Sequence, residues 1–126
     1  MAVTLPSSST LVPDFAGRVA RLRDRLPELG LDALLVTDKS NRRYLSGFTG
    51  SAGVLLVTPE EQLLSTDSRY YTQAEMECPT FELVRAGYGY VPALAERLDL
   101  NGKRIGVEKE NVTLDLYEKL QEAVPG

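Results

Sequence analysis

Ala33-Leu34-Leu35-Val36 is an apolar run with no polar alternation, the pattern of a strand covered on both faces rather than one with a wet side. Such a strand needs an apolar layer above it and another below. One layer is encoded just upstream. Phe15, Val19, Leu22, Leu26 and Leu29 recur at helical spacing and draw a single stripe down a helix. Asp14 can cap its start and Gly30 can stop it. Pro27 lacks an N–H and crowds the carbonyl four residues earlier, so the last turn is expected to kink or loosen. Burying the five stripe side chains contributes on the order of 10 kcal/mol gross before chain entropy is counted, so this helix is expected to pack on the sheet.

Downstream the pattern alternates. A short helical turn is expected at Asn41–Leu45, then strands at Gly53–Thr58 and Gln62–Thr66 separated by Pro59-Glu60-Glu61, close enough for a hairpin. Ser68–Glu77 reads as a helix ended by Pro79, and Phe81–Arg85 as a strand. Val91, Leu94, Ala95 and Leu98 form a second helical stripe, after which Asn101-Gly102 turns into a strand over Lys103–Glu108. Thr113 can cap a last helix with Leu114, Tyr117, Leu120 and Val124 inward. Alternating elements around one hairpin imply an α/β domain with helices on both faces of a mixed, largely parallel sheet of about five strands. Residues 1–13 read as a flexible leader and 14–126 as one domain; the closing Val124-Pro125-Gly126 suits an interdomain linker, so the chain reads as a cut domain.

Composition excludes several function classes. With 14 basic against 18 acidic residues the net charge is -4, which repels a phosphate backbone, so no nucleic-acid partner is expected. The cluster Arg18, Arg21, Arg23 and Arg25 is interleaved with Asp14, Asp24 and Glu28 and reads as a solvated helix face. No apolar stretch approaches the roughly 20 residues that cross a bilayer, and the leader has no basic-then-apolar signal pattern. A single cysteine, Cys78, excludes an intrachain disulfide and points to a cytoplasmic setting. Histidine is absent altogether, which removes the commonest proton-transfer group and transition-metal ligand.

The chemical signal is the run Asn41-Arg42-Arg43-Tyr44-Leu45-Ser46-Gly47-Phe48-Thr49-Gly50-Ser51-Ala52-Gly53-Val54. Its three glycines do not make a phosphate cradle, because such loops follow a strand and open a helix, whereas this one follows a helical turn and enters a strand. Ser51 lacks the surroundings of a nucleophile: there is no His to activate it and no S-x-x-K. Phe48 either forms an exposed contact tip or folds back into the core. Asp38 and Asp67 each end an apolar strand; carboxylates at neighbouring strand ends suit a Mg²⁺ nuclease only if they come within about 4 Å of each other, and helix capping accounts for both more economically. Glu60, Glu61, Glu75, Glu77, Glu108 and Glu110 have no spacing that demands a metal and read as surface charge.

The run Asn41–Ser51 followed by a strand resembles the N-terminal domain of the Xaa-Pro peptidases and creatinase. Leu31-Asp32-Ala33-Leu34-Leu35-Val36 is similar to that family's first strand, and Thr66-Asp67-Ser68-Arg69-Tyr70 through Gln73-Ala74 to its second recurrent motif. The resemblance runs from about Val19 to the C-terminus, and the Phe-Thr-Gly-Ser form of the loop points to the peptidases rather than creatinase. It implies a ribonuclease-H-like α/β fold preceding a separate pita-bread catalytic domain. That second domain would supply two Asp, two Glu and a His holding two divalent metal ions, manganese or cobalt; no catalytic residue, metal ligand or cofactor carries over to this chain. What does carry over is a supporting role: a homodimer in which Arg43, Tyr44, Phe48, Thr49 and Ser51 contribute to the subunit interface or to the partner's pocket for proline-containing peptides. Asp67, Arg69 and Tyr70 have a structural or pocket-supporting place, with Asp67–Arg69 pairing as the simplest. Ser68 stands where the family often has Gly. The resemblance thus implies the non-catalytic N-terminal domain of an Xaa-Pro dipeptidase or aminopeptidase; the alternative is a free-standing peptide- or protein-binding module of the same fold.

Overall fold

The computed structural model describes residues 14–87, 89–108 and 118. Helix α1 (Phe15–Leu29) leads into β1 (Ala33–Val36), α2 (Lys39–Ser46), β2 (Val54–Val57) and β3 (Gln62–Thr66). A 3₁₀ turn (Ser68–Tyr70) opens α3 (Tyr71–Glu77), followed by β4 (Glu82–Arg85), α4 (Tyr90–Arg97) and β5 (Ile105–Val107). The strands form one sheet in the order β4-β3-β2-β1-β5. The β2–β3 hairpin and the β1–β2 pair are antiparallel, while β1–β5 and β3–β4 are parallel. The sheet is therefore mixed, with two ladders of each kind rather than largely parallel, because the hairpin inserts β2 against the direction of both its neighbours.

Alternation along the strands separates two apolar layers. Val36, Leu55, Val57 and Leu64 pack with Val19 of α1, Leu45 of α2 and Ala74 of α3 on one face. Ala33, Leu35, Val54, Leu56 and Leu63 pack with Val91 and Leu94 of α4 on the other. This is why Ala33–Val36 contains no polar residue: both of its faces are roofed.

Two local expectations are corrected. Leu29 is 55% exposed, so the α1 stripe ends at Leu26; Gly30 turns left-handed at φ 70° and its N–H closes onto Leu26 and Pro27 carbonyls, leaving Leu29 outward. Helix α1 continues through Pro27 to Leu29. The arginine cluster is not uniformly solvated: Arg23 Nε donates to the Thr58 carbonyl at 2.8 Å and Arg18 NH1 to the Tyr44 carbonyl at 2.7 Å, while Arg25 pairs with Glu28. The expected leader lies outside the described residues, as does the helix expected from Thr113 except for residue 118.

Strand β3 runs with β1 and β4, and β5 runs with β1, so the carboxyl ends of β1, β3, β4 and β5 and the start of β2 share one edge. Ligand sites in α/β sheets favour the carboxyl ends of strands, and the glycine run enters the sheet there.

Candidate functional site

Helix α2 begins where β1 ends. Asp38 has extended backbone, and its carboxylate accepts the Asn41 N–H at 3.0 Å, so it is a helix cap. Glu108, just past the parallel neighbour β5, reaches the same corner. It accepts from the Thr37 and Asp38 N–H groups, the latter at 2.7 Å, and from Asn41 Nδ2 at 2.5 Å. A carboxylate at a helix start gains from the free N–H groups and the helix dipole. Arg42 lies beneath, 5% exposed, with NH1 donating to the Thr37 carbonyl at 2.7 Å and NH2 to the Gly50 carbonyl at 3.1 Å. Burial lowers its pKa against the opposing fields of Asp38 and Glu108. One guanidinium thereby ties the end of β1 to the middle of the glycine loop.

The loop is folded inward at its aromatic residue. Phe48 is 0% exposed and belongs to the α1–α2–α3 core, which decides between the tip and the core in favour of the core. Gly47 makes this entry possible by ending α2 at φ 88°, where a Cβ would stand 2.8 Å from the Glu77 carbonyl oxygen. Gly50 lies against the Phe48 ring, and a Cβ there would come within 2.3 Å of Phe48 Cζ. Tyr70 meets Phe48 edge-on, with ring centroids 5.8 Å apart and an interplanar angle of 89°.

Polar ties hold the loop to the segment after β3. Ser51 Oγ and Tyr70 Oη are 2.6 Å apart. Thr49 donates its N–H to Glu77 Oε1 at 2.8 Å and its hydroxyl to the same carboxylate, while Gln73 Nε2 donates to Thr49 Oγ1 at 2.9 Å. Burial pushes the Glu77 carboxyl upward, but the hydrogen bonds from Thr49 and Gln73 outweigh it and leave its pKa lowered. Asp67 accepts Arg69 Nε at 2.8 Å and NH2 at 2.9 Å, and the Tyr90 hydroxyl at 2.6 Å. Arg69 first and Tyr90 second hold this carboxyl well below the usual carboxylate range. The pairing of Asp67 with Arg69 is thus internal, and Asp67 also accepts the Arg69 N–H as a turn cap, so Asp38 and Asp67 are both committed as caps.

Sequence reasoning missed four contributors. Glu77 and Glu108 are not loose surface charges, and nothing singled out Arg42 or Tyr90. Apart from Gln73, four residues before Glu77, the partners of the two glutamates lie 28 to 71 residues away, and Tyr90 and Asp67 are 23 apart, beyond any local spacing rule. Arg42 alone carried a local signal, as an arginine one position before Arg43 on the inward face of α2. The remaining predicted residues face outward: Arg43, Thr49, Ser51 and Arg69 are exposed, and Tyr44 is 52% exposed.

This geometry defines an α/β domain that stiffens a glycine loop from within and presents its polar rim at the strand ends. Cys78 is buried, and burial raises its thiol pKa to about 12. Residues 18–126 match the Creatinase/Prolidase N-terminal domain family, and the chain belongs to that family. It is similar to Bacillus subtilis YqhT, an uncharacterized peptidase, with 34% identity over 101 residues covering 79% of this chain and 29% of that protein. Among solved structures it resembles an Xaa-Pro dipeptidase from Bacillus anthracis (TM-score 0.81, 28% identity, 90% of this chain and 32% of that one). It also resembles the N-terminal domain of cytoplasmic peptidase PepQ from Mycobacterium tuberculosis (TM-score 0.76, 36% identity, 87% and 86%). The chain therefore corresponds to an N-terminal domain of Xaa-Pro peptidase-family proteins and spans under a third of the curated relative's length.

Proposed function

We propose that this chain acts as the non-catalytic N-terminal domain of an Xaa-Pro metallopeptidase that cleaves dipeptides or longer peptides next to proline, and that it serves subunit pairing and the pocket of the partner subunit. The observation that carries this reading is the division of labour in the loop. Phe48, Gly50 and Arg42 fix it from inside, while Arg43, Tyr44, Thr49 and Ser51 are left on the outside at the strand ends. Rigid placement of exposed polar groups suits a surface that completes a site on another body, because the ordering entropy is already spent on folding. Asp67, Arg69 and Tyr70 support the loop rather than act.

The two divalent ions of such an enzyme, manganese or cobalt, find no fitting set of ligands among the described residues. The chain has no His, and among the described residues no three of Cys, Asp and Glu converge. On this reading their ligands come from a catalytic domain outside this chain. A cytoplasmic setting agrees with the single, buried cysteine; among the described residues no helix is long and apolar enough to cross a membrane.

The test compares the purified chain with the polypeptide read from its gene beyond Gly126. With Mn²⁺ and an Xaa-Pro dipeptide the chain alone is expected to be inert and the longer protein active. Replacing Arg43 or Ser51 in the longer protein is expected to raise KM or weaken the dimer in sedimentation. Turnover by the chain alone that survives repurification refutes the reading, as does a longer protein indifferent to both replacements.

A further inference from the structure

A groove of about 460 Å³ runs beside the glycine loop between α1 and α2, lined by Phe15, Arg18, Ser40, Arg43, Tyr44 and Thr49. That size lies within the roughly 300–1,000 Å³ of small-ligand sites. Its chemistry is unlike that of the chain as a whole. The chain carries net charge -4, yet the groove is lined by two guanidiniums and no carboxylate.

The two arginines are prepared differently. Arg18 is stacked, with its guanidinium carbon 4.1 Å from the Tyr44 ring centroid and 5.4 Å from that of Phe15, and NH1 is anchored on the Tyr44 carbonyl. Aromatic stacking fixes a guanidinium plane while leaving edge N–H groups for a carboxylate, and an orientation fixed in advance loses less entropy on binding. Arg43 is exposed, and its side chain makes no hydrogen bond or ion pair with the described residues. Its four-residue helical neighbour Gly47 has no side chain, and Glu77, which feels its charge, is taken up by hydrogen bonds from Thr49 and Gln73.

We infer that this groove binds an acidic peptide segment of a partner polypeptide, with Arg18 and Arg43 each receiving a carboxylate. The inference rests on the reading of this face as an interface and adds the chemistry of what meets it. Charge complementarity selects the occupant. Residues 1–13 of the chain contain no acidic side chain and would leave both arginines unneutralised. RNA presents anions as well, but the net negative charge of the chain opposes a polyphosphate and the groove offers two cations rather than a basic track.

The test is fluorescence anisotropy of a labelled hexaglutamate peptide with the full chain at low and high ionic strength. Saturable binding that weakens with salt is expected. Arg43→Gln is expected to weaken it about tenfold, the equivalent of ~1.4 kcal/mol. Arg18→Lys is expected to weaken it by a similar factor, because charge is kept while the planar fork is lost. Arg21→Gln, outside the groove, is the control and is expected to have no effect. Because the Arg43 side chain has no hydrogen-bonded or ion-paired partner among the described residues, its variant keeps the fold, and circular dichroism verifies that. The proposal is overturned if hexaglutamate does not bind, if Arg43→Gln leaves affinity unchanged, if Arg21→Gln weakens it equally, or if an RNA hexamer binds more tightly. Failure of the interface reading itself is distinguishable, because it appears in the turnover and sedimentation of the longer protein and not in peptide binding.

Discussion

Replacing Phe48 with Ala is expected to be among the most destabilising single changes in this domain, and Gly50 shows why. The ring is fully buried between α1, α2 and α3, so truncation to Ala costs about 3–5 kcal/mol in lost burial and residual cavity. Gly50→Ala perturbs the same contact from the other side. Its new Cβ would stand 2.3 Å from Phe48 Cζ, far inside van der Waals contact, and overpacking of that kind costs about 1–3 kcal/mol. Gly50 is not among the glycines with positive φ, so alanine fits its backbone and gains about 0.4–1 kcal/mol by restricting the unfolded chain. In a background without the ring the clash disappears and only that gain remains. The two changes should therefore couple by about 1–3 kcal/mol, Gly50→Ala being destabilising with Phe48 present and neutral or stabilising in the Phe48→Ala background. Urea unfolding of the two single variants and the double variant measures this. With m of about 1–3 kcal/mol/M, Phe48→Ala moves the midpoint by roughly 2 M, and Phe48→Leu serves if the alanine variant is too unstable. Equal cost of Gly50→Ala in both backgrounds, or a loss below about 1 kcal/mol for Phe48→Ala, would show that the ring is not packed as described.

Glu108→Ala should cost about 1–3 kcal/mol by leaving the N–H groups of Thr37 and Asp38 without their carboxylate, with raised hydrogen exchange at the start of α2 as the local signature. Asp67 has a folded-state pKa held below its unfolded value of about 3.9. Its contribution is therefore fully present at neutral pH and is lost as pH falls below about 4 and through the folded pKa; Asp67→Asn should flatten the acid side of the stability profile in chemical unfolding at stepped pH. Cys78, buried and with its thiol raised to about 12, should resist a thiol reagent at pH 8 in the folded chain and react at once in denaturant; prompt native-state labelling would contradict its place in the core.

The element order was legible because each apolar pattern is local. Asp14, Asp38 and Asp67 cap the turns they precede, and the four apolar residues at Ala33–Val36 declare a strand roofed on both sides by their lack of alternation. The loop was legible as a motif but not as a shape. A phenylalanine flanked by glycines is compatible with a tip or with an anchor, and the difference depends on whether a cavity between α1, α2 and α3 awaits the ring, which no short window encodes.

By itself, then, the sequence determined the α/β class, the hairpin, the caps, the lack of histidine chemistry and, through residues 41–51 and 66–74, the family. Tertiary structure alone decided that Glu77 and Glu108 are structural carboxylates, that Arg42 staples the loop from beneath, and that Arg18 and Tyr44 wall a cationic groove. The physical reason is range. Capping and hydrophobic periodicity act within one turn or one strand, whereas the carboxylate just past β5 meets the N–H groups of Thr37 and Asp38 only because parallel pairing of β1 with β5 brings residues 70 and 71 positions apart to the same edge.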